Sequence, residues 1–236
     1  MEFYHSFGSM KAANLDAKIT SPKSFVIALL KLLELINTWG VCEDPKQVKM
    51  PYLYVDTDKL KRAFIVKSNQ IVSFAFPFAI YTKTDALGKD KLYINYWDKQ
   101  LDDVIISHAM TIARTLDLKK STYAAQAKSI DFGDPTKVIA AKVFEVALAL
   151  EPSYVRYDYD AKACNGTIHP LHHLDVNYSS DYTYKIGLYG ELQRDSITTI
   201  ISDEEKCWYV DCYSKFMKTS HMVKAWLNRR VSRMMR

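Results

Sequence analysis

Apolar positions recur with two different periods along this chain, and the change of period marks out the elements. From Phe25 to Asn37 (FVIALLKLLELIN) the run is apolar on nearly every side, interrupted by Lys31 and Glu34. That pattern predicts a largely buried helix. Ser21-Pro22 suits its start, with serine as cap and proline in the first turn, and Gly40 followed by Pro45 suits its end. Residues 1–20 show no clean period. Between residues 50 and 97 the pattern turns to β: Tyr52–Val55, Arg62–Lys67, Gln70–Tyr81 and Lys91–Trp97 are rich in aromatic and β-branched residues. Ser68-Asn69 suits a hairpin turn, and Pro77 predicts a bulge or an edge within its strand. The helical period then returns. Leu101, Ile105, His108, Ile112 and Leu116 predict a helix over 101–118. Asp134-Pro135 opens another, with Ile139, Val143, Val146 and Leu150 on its buried face and Pro152 beyond its end.

Alternation takes over once more after Pro152, and here it carries chemistry. Tyr154, Arg156, Asp158 and Asp160 share one parity, so a strand would put them on one face. Asn165-Gly166 marks a turn, and Pro170 disfavours α geometry at His169. From Leu171 to Tyr178, Leu174, Val176 and Tyr178 fall on one face and His173, Asp175 and Asn177 on the other. Ser179-Ser180-Asp181 gives a second turn, and Tyr182–Leu188 (YTYKIGL) reads as a return strand. The acidic strand and the histidine strand are therefore expected to lie close enough to pair. Further on, Ser202-x-x-Glu205 is a capping-box pattern ahead of a helix carrying Trp208, Cys212 and Phe216. Ser220 suits the cap of a last helix. The order helix, strands, helices, strands, helices predicts an α+β fold, mostly antiparallel sheet with flanking helices. No linker divides the chain, so residues 1–236 read as a single domain ending in a basic helix over 220–236.

Composition adds bounds. The chain has 236 residues, 48% hydrophobic and 25% charged, the balance of a globular protein with a sizeable core. The net charge of +5 is mild, but its distribution is not even. No acidic residue follows Asp211, while Lys224, Arg229, Arg230 and Arg233 do follow, an arm suited to phosphates or an acidic partner. The same run also reads as a solvated helix face. Cys42, Cys164, Cys207 and Cys212 form no Cys-x-x-Cys pair, which favours a reducing cytoplasm over a disulfide framework. No signal peptide and no membrane-spanning run is expected. Only seven glycines are present, with neither a phosphate loop nor a nucleophile elbow.

The stretch Arg156–Tyr178 (RYDYDAKACNGTIHPLHHLDVNY) holds three aspartates and three of the six histidines, a density of proton-transfer and metal-binding groups found nowhere else in the chain. Histidines beside carboxylates and an arginine suit phosphodiester cleavage: base, acid and a guanidinium that steadies phosphate charge. Arg156, Asp158, His169, His172 and His173 are the expected catalytic groups. A metal-assisted version would hold a divalent ion with Asp160, His169, His173 and Asp175. A structural zinc module using Cys164, His169 and His172 or His173 is a third arrangement, without the paired spacing of zinc modules. Each residue also has an ordinary reading, as surface histidines at a strand start or a cross-strand ion pair. Asp56 and Asp58 beside Lys59 and Lys61 form a fainter acidic and basic grouping.

At these residues the chain resembles the bacterial domain-of-unknown-function family numbered 2290. The likeness rests on Arg156-x-Asp158-x-Asp160, then His169-Pro170-x-His172-His173, then the aromatic helix Trp208–Phe216, and covers about the last third of the chain. The resemblance implies a prokaryotic cytoplasmic protein from a mobile or phage-defence gene cluster and carries no activity with it. Two functions are thus expected to compete: a nuclease or phosphodiesterase acting as a defence or toxin effector, and a non-catalytic subunit that binds nucleic acid or a neighbouring-gene partner.

Overall fold

The computed structural model describes residues 1–6, 19–39, 42–84, 86–88, 90–115, 133–150, 153–165, 168–177 and 184–201. The expected helix Trp208–Phe216, the basic arm of Lys224, Arg229, Arg230 and Arg233, and the helix 220–236 lie outside them. The chain divides into two compact units, Met1–Arg194 and Asp195–Arg236.

The fold of the first unit is α+β. Its main sheet has seven strands in the order β1-β2-β3-β4-β8-β9-β10: β1 Glu2–Ser6, β2 Tyr52–Asp56, β3 Arg62–Val66, β4 Gln70–Ala75, β8 Val155–Tyr159, β9 His172–Val176 and β10 Tyr184–Leu188. Every neighbouring pair is antiparallel. A smaller antiparallel sheet holds β5 Ala79–Thr84, β6 Asp90–Tyr96 and β7 Lys99–Gln100.

The expected strand Gln70–Tyr81 is in fact two strands in two sheets. Pro77 has no N–H to give a ladder. The chain leaves the main sheet after Ala75, buries Phe76 and Phe78 edge to face with ring centres 5.2 Å apart, and re-enters as β5. Strand β1 carries no sequence signal, because five residues are too few to display a period. It is held in register against β2, from Glu2 opposite Asp56 to Ser6 opposite Tyr52.

Three helices complete the unit: α1 Pro22–Trp39, α2 Asp103–Thr115 and α3 Pro135–Ala149. Ser21 and Ser24 cap α1 reciprocally. The Ser24 N–H donates to Ser21 Oγ at 3.1 Å, and the Ser21 N–H donates to Ser24 Oγ at 2.9 Å. Asp102 and Asp134 accept N–H groups at the starts of α2 and α3, each at 2.9 Å. Hydrogen bonds from Thr136 hold the Asp134 carboxyl below its ordinary range. Helix α2 packs against both α1 and α3. Its buried face is Ile105, Ile106, Ala109, Met110 and Ala113, and that of α3 is Ala140, Ala141, Val143, Phe144 and Ala147. Ile105 and Val143 are buried as expected, but the rest of each face is shifted, since alanines let helices approach while large residues such as Ile112, Ile139 and Val146 sit at the margin.

One side of the main sheet meets this apolar layer. Phe3, Leu53, Val55, Ala63, Ile65, Val72, Phe74 and Tyr154 belong to one core with Phe25, Leu29, Leu33 and Ile36 of α1. The corner that launches β8 is pinned by Arg62. Its Nε donates to Ser73 Oγ at 3.0 Å and its Nη2 to the Ser153 carbonyl at 2.7 Å. Burial lowers the Arg62 pKa to about 10. Among the described residues, no helix is long and apolar enough to cross a membrane. Asp56 serves its own turn: Oδ1 accepts the N–H groups of Asp58 and Lys59 at 2.9 and 3.0 Å.

Candidate functional site

Strand pairing turns the alternation of the Arg156–Tyr178 stretch into two charged rungs. Arg156 stands opposite Val72 on β4 and opposite Asp175 on β9, and Asp175 stands opposite Lys185 on β10. The next rung runs Gln70, Asp158, His173, Gly187 across the same four strands. The first rung continues into Ile65 and Leu53 on β3 and β2. One line across one sheet face is therefore apolar at one end and ionic at the other.

Bonding within the rungs is dense. Arg156 Nε donates to Asp158 Oδ2 and Arg156 Nη2 to Asp175 Oδ2, both at 2.7 Å. The guanidinium thus forks across two strands. The Tyr154 hydroxyl also bonds Arg156, and burial pushes its pKa up to about 12. Each carboxylate has its other oxygen tied down. Asp158 Oδ1 accepts Gln70 Nε2 at 2.8 Å, and Asp175 Oδ1 accepts a short bond from Lys185 Nζ. Lys67 reaches Gln70 Oε1 at 3.3 Å, and burial lowers its pKa. Asp175 is fully buried, and His173 is 1% exposed.

His173 completes the arrangement. A carbonyl only accepts, so the 2.9 Å contact between His173 Nδ1 and the Pro170 oxygen fixes the proton on Nδ1. In the neutral ring Nε2 then carries the lone pair. It faces Asp158 Oδ2 at 3.7 Å and Asp175 Oδ2 at 3.8 Å, too far for hydrogen bonds. Among the described residues, Asp158, His173 and Asp175 form the one group of three able to hold a metal ion, with ligand atoms all within 4.8 Å of one another.

His169 lies beside this group but is not one of its members. The Asp160–Pro170 loop is closed by an Asn165–His169 bridge and by Ala163 donating to Asp160 Oδ1 at 3.0 Å. That backbone bond, together with His169, holds the Asp160 carboxyl below its ordinary range. His169 Nε2 contacts Asp160 Oδ2 at 3.2 Å, and its ring meets that of His173 edge on, centres 4.7 Å apart. The side chain is 27% exposed. An imidazole–carboxylate pair open to solvent thus adjoins a buried ionic cluster.

No protein-family model, curated protein or solved structure matches the chain.

Of the residues singled out from the sequence, Arg156, Asp158, His173 and Asp175 meet on one face, and His169 with Asp160 stands at its edge. His172 does not join them. Its parity sends it to the opposite face, where Nδ1 shares a 2.8 Å hydrogen bond with Tyr157 Oη and the ring lies against Tyr157 and Tyr159. In the ligand group Asp158 stands where Asp160 was expected, because Asp160 follows the end of β8 and is drawn into the loop. Cys164 is exposed and outside that group.

Gln70, Lys67, Lys185 and the Pro170 carbonyl escaped sequence reasoning. Lys185 had one available signal, its place in the return strand YTYKIGL, but only the register sets it opposite Asp175. Gly187 belongs with them. A Cβ there would lie 3.0 Å from Pro170 Cγ, so the missing side chain leaves room for the proline whose carbonyl orients His173. Gly187→Val is expected to destabilise by about 1–3 kcal/mol through overpacking, measured by urea unfolding. No change in midpoint would mean that Pro170 yields freely.

Proposed function

We propose that the protein is a phosphodiesterase acting on a nucleic acid or nucleotide, with His169 as general base, Arg156 and Lys185 as phosphate-charge partners, and the Asp158, His173 and Asp175 group beneath them. One observation carries this reading: an accessible imidazole–carboxylate pair, His169 with Asp160, lies edge on to the ring of His173, which itself adjoins a buried pair of carboxylates bridged by a guanidinium. His169 takes a proton from water as the water oxygen bonds to phosphorus. The phosphorus–oxygen bond to the leaving group breaks, and that oxygen is protonated from solvent. The cationic side chains offset charge that grows on the phosphoryl oxygens. The family resemblance points to a defence or toxin effector as the setting.

The test is cleavage of single- and double-stranded DNA and RNA and of a small diester. His169→Ala is expected to lower the rate about 10²- to 10⁴-fold, the range of general acid–base catalysis, with little change in melting temperature. Loss of cleavage in His172→Ala with His169→Ala unaffected would transfer the role to the other sheet face. Binding of nucleic acid without turnover by the wild-type chain would favour a non-catalytic subunit instead.

A further inference from the structure

We infer that Asp158 Oδ2, Asp175 Oδ2 and His173 Nε2 form a site for a divalent first-row cation, and that Arg156 is the exchangeable cation that holds the same two oxygens in the ion's absence. The inference deepens the phosphodiesterase reading, since it names what the buried group beneath His169 takes up.

Three ligand atoms from two strands converge, and each belongs to a side chain whose other polar atom is tied from outside. Gln70 Nε2 holds Asp158 Oδ1, Lys185 Nζ holds Asp175 Oδ1, and the Pro170 carbonyl holds His173 Nδ1. Outer partners of this kind fix the tautomer of a ligating histidine and the aim of ligating carboxylates. The His173 lone pair is the decisive feature. In a ring 1% exposed it points between two carboxylate oxygens that carry no proton to offer it when ionised. A cation between the three satisfies all of them at once. An ion about 2.0–2.2 Å from each atom would set them about 3.3–3.6 Å apart in a tetrahedral arrangement. The observed 3.7 and 3.8 Å lie just above that range, and the two carboxylates offer ligand atoms within 4.8 Å of each other, so the side chains would draw in around the ion. One imidazole with two carboxylates suits Mn²⁺ or Zn²⁺ better than an all-oxygen ion such as Ca²⁺.

Arg156 explains how the site stays folded without the ion. Its Nε and Nη2 bond the same two Oδ2 atoms that would ligate, so guanidinium and ion compete for them. A divalent ion displaces the guanidinium by direct repulsion and by taking its acceptors. Arg156 is then released beside the ion, where a phosphodiester is the anion both would bind. The two cationic states of the site are thus mutually exclusive at the carboxylates and cooperative at the substrate.

The experiment is Mn²⁺ binding to the full chain by calorimetry and electron paramagnetic resonance, after chelator treatment and dialysis. Wild type is expected to bind one Mn²⁺ and His173→Ala none. Gln70→Leu is expected to bind about 10- to 100-fold more weakly, the usual effect of removing an outer partner. Arg156→Met is expected to bind at least about tenfold more tightly than wild type, because a competing unit charge has left the same oxygens. Should Arg156→Met fail to fold without metal, Arg156→Gln, which also removes the charge but keeps an N–H donor for one carboxylate, is expected to show the same sign of change. Equal or weaker affinity in the arginine variants, or unchanged affinity in His173→Ala, overturns the inference. The two readings fail separately: cleavage by a chain that binds no Mn²⁺ removes the cation site alone, and Mn²⁺ binding without cleavage removes the phosphodiesterase alone.

Discussion

Arg156→Met is expected to lose about 3–5 kcal/mol of folding stability in metal-free buffer, the cost of leaving buried charge without its partner. Methionine nearly matches the volume of arginine, so the loss is electrostatic and not a cavity. The side chain of Arg156 is 12% exposed and that of Asp175 is not exposed at all, so solvent does little to screen the pair. Lys185 still bonds Asp175, and Gln70 still bonds Asp158, which places the expected value toward the lower end of the range. Asp175→Asn on top of Arg156→Met is expected to restore part of the loss, because a neutral amide costs less to bury than an unmatched carboxylate. Lys185, 32% exposed, can turn its ammonium toward water. A double-mutant cycle in urea reports the coupling, and a value under about 0.5 kcal/mol would mean the residues act independently.

That cluster also shows what sequence can and cannot deliver. Strand alternation assigns Arg156 and Asp158 to one face and His173 and Asp175 to another shared parity, and the structure joins those two faces. Alternation equally assigns His172 away from His173, and the expected catalytic set kept both. The density of histidine outweighed the parity that separates them. What alternation cannot supply is register. Gln70 lies 88 residues from Asp158, and nothing local brings them together. The rung exists only once β4 has paired with β8. Strand β4 itself ends at Ala75, and past Pro77 the chain continues in a second sheet, where the sequence pattern suggests one long strand. On the helices the period is legible and the phase only in part: Ile105 and Val143 are buried as the period predicts, but a hydrophobic period weighs large residues while packing also selects small ones such as Ala109 and Ala140.

Phe74→Ala is the second large effect, expected at about 3–5 kcal/mol. Phe74 is 1% exposed on the central strand β4, and its ring meets Phe25 of α1 edge on, centres 5.6 Å apart at 83°. Phe25 in turn meets Tyr154 at 6.2 Å and 76°. Removing the Phe74 ring deletes one end of this chain of contacts, and the backbone cannot close the gap because β4 is paired on both sides. Phe74→Leu keeps most of the volume and is expected to cost less than about 1.5 kcal/mol. The difference between the two variants isolates the cavity from the change of shape. It also tests how the ionic rungs are held, because Tyr154 bonds Arg156 through its hydroxyl and rests on Phe25 through its ring. Equilibrium unfolding in urea is the measurement, and a Phe74→Ala loss below about 1 kcal/mol would mean that the helix layer does not depend on β4 for its seat.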